Sequence, residues 1–487
     1  MTLLFVLALC GLHAQVASAL VTFYVDPTYI GGSNDGSATH PWLVLGNAAT
    51  KPEWVAINTA LATDDVTVYF SARTVPEDLP EVQTAEIRVF RTDTGAHRLT
   101  LNGMAKWNTC DTSGAWIDYE GLSKFKVVKA SGALGIGWGD VEGRENYITL
   151  TGFEVTGVAA RIIFGGSHLV VEHINVHDIT TTGATMQTHL CTSPAPACIP
   201  KPDMDDVVIQ DNSITNGYGE GIYISCNYQP SIAIACPNYL TGPTHFLIQR
   251  NVITNPAANG GQGDGIDLKV GMRNSTIRNN VIVNPKASAM GISYSGVYGS
   301  DPDGMIFENN LIVNAGGNGI GLGNSRGAIV RNNVLTDGHS IGIALIASEI
   351  TSSQAVKIYN NTVYTIAGGN AINIAGADNT FIRNNILYTN VTTLYQAGAV
   401  TGTNSGTNIL KASNYKSANW PVEINDLFIT DPALVLNNPA SGDMSLLATS
   451  PAIDAGVTID ACGALDFTDT SRPQGSAWDI GAYEAHP

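Results

Sequence analysis

Ile277-Arg-Asn-Asn-Val-Ile, Phe307-Glu-Asn-Asn-Leu-Ile, Val330-Arg-Asn-Asn-Val-Leu, Ile358-Tyr-Asn-Asn-Thr-Val and Ile382-Arg-Asn-Asn-Ile-Leu are five versions of one pattern. Each has an apolar residue, then mostly polar residues ending in Asn-Asn, then an apolar-rich strand. Looser copies precede them: Leu150-Thr-Gly-Phe-Glu-Val, Val171-Glu-His-Ile-Asn-Val, Ile209-Gln-Asp-Asn-Ser-Ile and Ile248-Gln-Arg-Asn-Val-Ile. From Asn251 onward the interval is roughly 23 to 30 residues, which falls in the repeat window of solenoids. An interval of this length is one coil of short strands, each pairing with the coils above and below at about 4.8 Å. The repeat therefore predicts a right-handed parallel β-helix.

An Asn at the same corner of every coil tolerates left-handed backbone angles and can pass its amide to the next coil as a ladder. Asn212, Asn251, Asn280, Asn310, Asn333, Asn361 and Asn385 form this expected ladder. Unrelated turns in a β-sandwich would not align seven such residues. A second series follows: Gly221-Ile-Tyr-Ile, Gly265-Ile-Asp-Leu, Gly291-Ile-Ser-Tyr, Gly319-Ile-Gly-Leu, Gly342-Ile-Ala-Leu and Ala371-Ile-Asn-Ile. Its period is two. Ile222, Ile266, Ile292, Ile320, Ile343 and Ile372 should face the core, and the alternate positions should form one solvent face.

Composition agrees with a turn-rich all-β chain: 51 of 487 residues are Gly and 14% are charged. Length alone suggests several domains, but a solenoid grows without splitting. We read residues 1–19 as a signal peptide and 20–425 as the β-helix. The N-terminal cap and first coils run to about 145, and regular coils span 146–400. Residues 426–487 form an irregular C-terminal closing segment. Leu3 to Leu12 is an apolar run followed by the small residues Ala17-Ser18-Ala19, as a secretory signal requires. The expected location is extracellular or periplasmic. The run is too short to span a bilayer, so no membrane partner is expected.

The formal net charge is −18. That excludes nucleic acid as a partner, because phosphate binding needs clustered Lys and Arg. An acidic polysaccharide is still compatible, since a bound cation can hold a polyanion on an acidic protein. A monomer is expected. In an oxidising compartment Cys191 with Cys198, and Cys226 with Cys236, can close local disulfides. Cys110 and Cys462 are either buried thiols or a third pair.

Chemistry-bearing residues concentrate on two coils. Most outward positions of the second series are inert: Gly321, Ala344 and Asn373. One coil, however, carries Glu220, Tyr223 and Ser225, and the next carries Asp264, Asp267 and Lys269. Ser293 and Ser295 follow, with Tyr298 in the next turn. Segments 179–206, 226–245 and 254–263 belong to the same coils and would wall a cleft. Glu220 and Asp264 occupy equivalent corners one strand spacing apart. Carboxylates that close repel unless a proton or cation lies between them. Calcium takes several oxygens in flexible geometry and suits Glu220, Asp264 and Asp267. Lys269 beside it would release its proton more readily and act as a base.

This constellation fits calcium-assisted β-elimination of a uronic-acid polysaccharide. A retaining glycoside hydrolase using Glu220 and Asp264 is the enzymatic alternative. A non-catalytic carbohydrate-binding β-helix is the other, with Asp267 and Lys269 as a plain ion pair and Asp264 as a turn cap. His173 reads as structural, at the ladder position. His177 and Asp178 end a strand beside the 179–206 segment and are candidates to line the cleft. Asn274-Ser-Thr, Asn360-Asn-Thr and Asn390-Val-Thr match glycosylation sequons.

The ends carry a resemblance. Tyr24-Val-Asp-Pro-Thr, Asp35-Gly-Ser and Pro41-Trp resemble the opening of secreted pectate-lyase-like β-helix proteins. Ser450-Pro-Ala-Ile-Asp-Ala-Gly, Arg472-Pro-Gln-Gly and Asp479-Ile-Gly-Ala-Tyr-Glu resemble their closing segment. Asp264-Gly-Ile-Asp267 is similar to the calcium-binding motif of family-nine pectate lyases, with Glu220 where an earlier coil supplies a ligand. In that family the catalytic Lys comes from the following coil, which here reads Met290-Gly-Ile-Ser-Tyr-Ser and has none. Lys269 instead resembles the basic Lys of family-six alginate and dermatan lyases, whose partner Arg on the next coil is also missing. Arg273, Arg161 and Tyr223 are the candidates to replace it.

Overall fold

The computed structural model describes residues 20–71 without 28, then 87–91, 97–107, 116–118, 124–129, 135–138, 146–188 without 182, 204–224, 244–292 without 270–271, 303–346 without 324, 353–391 without 366–368 and 376, 394–397, 402–411, 425–459 and 464–485. Among them, three long parallel sheets run the length of the molecule. One coil shows the plan. Ile266–Leu268 lies in the first sheet, Thr276–Arg278 in the second and Val281–Val283 in the third. The chain then returns to the first sheet at Met290–Ile292, paired with Ile266–Leu268. Each third-sheet strand between the two end strands pairs in parallel with the coils before and after it. The architecture is a parallel β-helix.

Two residues turn the chain from the second sheet into the third. The first takes the left-handed conformation: Asp211 (φ 56°), Arg250 (54°), Asn279 (54°), Asn309 (55°), Asn332 (54°), Asn360 (53°) and Asn384 (55°). The second points inward and builds the ladder. The sequence reading gave both jobs to the ladder Asn; the structure divides them. A left-handed turn residue sends the next side chain into the coil, where a buried amide must find partners. Asn280 Nδ2 donates to Asn310 Oδ1 at 3.0 Å and to Ile248 O at 2.9 Å, and its backbone N–H also reaches Asn310 Oδ1 at 3.0 Å. The same bonds repeat from Asn212 to Asn385. They continue through Asn408 to Asp426 Oδ1, two residues beyond the expected ladder. At the start Ile174, not His173, occupies the ladder position, and its N–H meets Asn212 Oδ1 at 3.0 Å. His173 is the left-handed residue of that coil (φ 54°). A second, outer ladder links Asp178, Asn216, Asn255, Asn284 and Asn314 at the next corner.

Ile222, Ile266, Met290, Ile320, Ile343 and Ile372 stack in register inside the first sheet, all fully buried. One expected alignment is therefore corrected. Met290, not Ile292, continues the Ile266 stack, so Gly291 rather than Ser293 stands beside Asp267. Strand alternation has period two, so a slip of two residues keeps every apolar residue inside and leaves no mark on the pattern.

At the N-terminal end, helix Pro52–Leu61 buries Trp54, Ile57 and Leu61 against the first coils. The C-terminal segment behaves differently from an end cap. Val435, Leu436, Met444, Leu446, Ala452 and Ile480 pack on the outside of the third sheet, against Val334, Tyr364, Ile386 and Ile409. The left-handed asparagines hold it there. Asn309 Nδ2 donates to Asp466 O, Asn332 Nδ2 to Leu465 O, Asn360 Nδ2 to Asp479 O and Asn384 Nδ2 to Val457 O, at 2.6–2.9 Å. Arg472, buried under this strap, pairs with Glu484 at 2.7 Å and donates to Gly481 O at 2.9 Å. All Cys residues of the expected disulfides lie outside the described residues, as does the 1–19 segment. No helix among the described residues is long and apolar enough to cross a membrane.

Two stability outcomes follow from these contacts. Asn310→Leu orphans two buried donors of Asn280, and should cost about 3 kcal/mol or more in chemical denaturation. Asn314→Gly, which keeps the left-handed angle open, should cost less than about 1 kcal/mol; equal losses would contradict the division between the inner and outer ladders. Arg472→Met leaves Glu484 buried without its cation. It should release the strap by about 3 kcal/mol, read as faster hydrogen exchange after residue 430 with the coils before residue 300 unchanged.

Candidate active site

The first sheet carries the site on its outer side. Cross-strand register places Gln187 beside Tyr223, Tyr223 beside Asp267, and Asp267 beside Gly291, in one column along the axis. Gly321, Ala344 and Asn373 continue it. Asp264 stands at the corner before its strand, where its carbonyl accepts from Gly221 N. Glu220 holds the corner one coil earlier. The structure brings together three of the predicted residues as a possible metal-binding group: one carboxylate oxygen each from Glu220, Asp264 and Asp267 lies within 4.8 Å of the other two.

Lys269 completes the cluster. Its Nζ lies 2.6 Å from Asp267 Oδ2 and 5.3 Å from the centre of the Tyr223 ring. The expected solvent face is absent here. Asp264, Asp267 and Lys269 are only 7%, 2% and 6% exposed, so these outward side chains are covered. Burial carries a cost for the charged forms. It raises Asp264, which a backbone N–H from Ser288 and the Lys269 charge partly offset, while Glu220 adds to the rise. Burial likewise lifts Asp267 to about 7 against the pull of Lys269, with Asp264 and Glu220 repelling. Burial, then Asp267 and Glu220, push the Tyr223 hydroxyl up, so it stays protonated at neutral pH.

Asp264 is oriented by both oxygens. Oδ1 accepts from Ser288 N at 2.8 Å, and Oδ2 from Gln262 Nε2 at 3.0 Å. Gln262 escaped the sequence reading because nothing in its spacing links it to Asp264. Its segment is shaped by glycines: at Gly261 (φ 53°) an added Cβ would lie 2.4 Å from Tyr218 O. Asp267 Oδ2, by contrast, has the Lys269 charge beside it but no aligned hydrogen bond. A buried carboxylate oxygen left in this state, with two more carboxylates converging on it, is a donor set that suits a hard divalent cation.

The other candidates separate. Arg161 Nη1 donates to Gln187 Oε1 at 3.3 Å, two strands along the column from Asp267. Arg273 lies at the edge of the second sheet, where its backbone bridges Thr244 and its carbonyl accepts from Ser275 Oγ. Ser225, Ser293, Ser295 and Tyr298 lie outside the described residues. His177 does not line this cleft. It belongs to the third sheet, where Nε2 meets Glu154 Oε1 at 3.0 Å and Nδ1 meets Asp178 Oδ2 at 2.9 Å. Those carboxylates raise the imidazole, and His177 holds Glu154 down to about 2.

Residues 239–419 match the family model described as the right handed beta helix region. With the three parallel sheets, this defines a right-handed parallel β-helix protein. Solved structures of similar fold include the pectate lyase Pel9A, at 13% identity and TM-score 0.46 over 96% of this chain and 97% of that one. An alginate lyase from Paenibacillus sp. str. FPU-7 is 12% identical, with TM-score 0.38 over 71% of this chain and 96% of that one. A GH136 lacto-N-biosidase from Eubacterium ramulus is 11% identical, with TM-score 0.45 over 84% and 68%. These likenesses concern the fold alone. A comparison with curated proteins gives no match.

The cluster makes a stability prediction. Lys269→Met leaves three carboxylates with no counter-charge, so in chelator it should destabilise the protein by about 3 kcal/mol. Millimolar calcium should then raise its melting temperature more than it raises that of the wild type. Equal calcium responses in the two proteins would argue against a cation at these carboxylates.

Proposed function

We propose that this chain is a secreted polysaccharide lyase that cleaves a uronate polymer by cation-assisted β-elimination. The observation that supports it is the convergence of Glu220, Asp264 and Asp267 with Lys269 on Asp267. Elimination needs an acidified proton α to a carboxylate, a base to take it and an acid for the leaving oxygen. When bound by the three carboxylates, a calcium ion would supply neutralisation of the uronate carboxylate and so acidify that proton.

The chain's own residues perform the rest. Glu220, Asp264 and Asp267 would hold the cation that receives the substrate carboxylate. With the cation bound, Lys269 Nζ in its neutral form accepts the α proton. The electron pair left on carbon forms the double bond, and the β C–O bond breaks. Tyr223, which keeps its proton, donates it to the departing glycosidic oxygen. The covered setting of Asp267 and Lys269 keeps competing water from the base.

The hydrolase reading fits less well. A retaining hydrolase uses two carboxyl groups about 5–5.5 Å apart and has no role for a third. Here three carboxylate oxygens meet around one small volume.

On a panel of uronate polysaccharides the wild type should release products with the absorbance of a conjugated double bond. Chelation should abolish this and calcium should restore it. Lys269→Ala should lower kcat by about 10² to 10⁴. New reducing ends without unsaturation would instead establish hydrolysis.

A further inference from the structure

The column that carries the cluster has a second polar station. Arg161 precedes the strand Ile162–Phe164 and extends its guanidinium over the next coil, where Nη1 meets Gln187 Oε1. Gly183 makes room for it. That residue is left-handed (φ 66°), and an added Cβ would lie 2.4 Å from Arg161 Nη1. The guanidinium is thus seated in a defined place, between Gly183 and Gln187. Gln187 pairs in register with Tyr223, and Tyr223 with Asp267. The station therefore lies two strand steps from Asp267, about 10 Å along the axis. That span is comparable to two units of an extended polyuronate.

A guanidinium presents paired donors whose geometry matches a carboxylate. A side-chain amide beside it adds a donor for a second oxygen or a neighbouring hydroxyl. We infer that Arg161 and Gln187 form a carboxylate-reading subsite that binds a uronate two units from the scissile one. This rests on the reading of the acidic cluster as the cleavage point. It assigns to the protein a requirement for consecutive or alternate uronates rather than a single one, and Arg161 acts in specificity rather than as a catalytic residue.

The test uses the full-length protein with di- and hexa-uronates prepared from polygalacturonate and alginate. For the hexamer, Arg161→Ala should raise KM by about tenfold to a hundredfold, as loss of a charge-assisted hydrogen bond does. kcat should stay within about twofold. For the dimer, which does not reach the station, KM should not move. Arg161→Lys should recover part of the loss. Gly183→Ala, which displaces the guanidinium but keeps the charge, should act in the same direction as Arg161→Ala. An equal KM rise for dimer and hexamer, or none for either, overturns the subsite. Isothermal titration with the same hexamers separates the two claims. Binding that weakens in Arg161→Ala, with no unsaturated product from the wild type, keeps the subsite and sinks the elimination. No hexamer binding by the wild type, or binding that Arg161→Ala leaves unchanged, sinks the subsite.

Discussion

A buried amide must be paired, and the inner asparagine ladder satisfies that constraint by repetition. Each Asn donates into the coil behind it and into the amide ahead. A ladder amide therefore needs a neighbouring coil on each side to be satisfied. This ties the coils together in a way that apolar stacking does not, because the hydrophobic effect has no direction. It also fixes the phase of every coil at one corner. From His173-Ile174 to Thr407-Asn408 the second-to-third-sheet turn is held at two residues, while the other turns vary in length.

The residue before each ladder amide has a separate consequence. Being left-handed, it projects outward, and its chemistry differs along the axis. In the earlier coils it is Asp211 or Arg250, which pair with each other on the surface at 2.7 Å. In the later coils it is Asn309, Asn332, Asn360 and Asn384, whose amides satisfy backbone carbonyls of the C-terminal strap. The strap's underside is apolar and its ionic group, Arg472 with Glu484, is enclosed. The strap packs on the third sheet, and the acidic cluster lies on the first.

The cluster sets a cost against a capability. Two carboxylates and a lysine held out of water, with the half-buried Glu220 beside them, carry a desolvation cost. Lys269 offsets part of that cost by standing on Asp267. Neighbouring coils are about one strand spacing apart, so a solenoid brings groups 44 residues apart in sequence, such as Glu220 and Asp264, into one cation-sized volume.

The sequence by itself determined the architecture, since a repeated turn leaves a repeated word. It also determined the acidic cluster, because Glu220, Asp264 and Asp267 fall at equivalent places in adjacent repeats. Register along the first sheet was beyond it: the Gly291 strand slips by two residues, and strand alternation cannot detect an even slip. The sequence also placed His177 at the wrong cleft, since its place depends on how turns of unequal length cross in space; Gln262 stayed hidden because its contact with Asp264 rests on the local turn conformation. Only the tertiary structure decided that the outward face is covered at Asp267 and Lys269, and that the closing segment lies along the third sheet. Burial and strap docking are set by contacts between distant segments, and a local pattern carries no record of them.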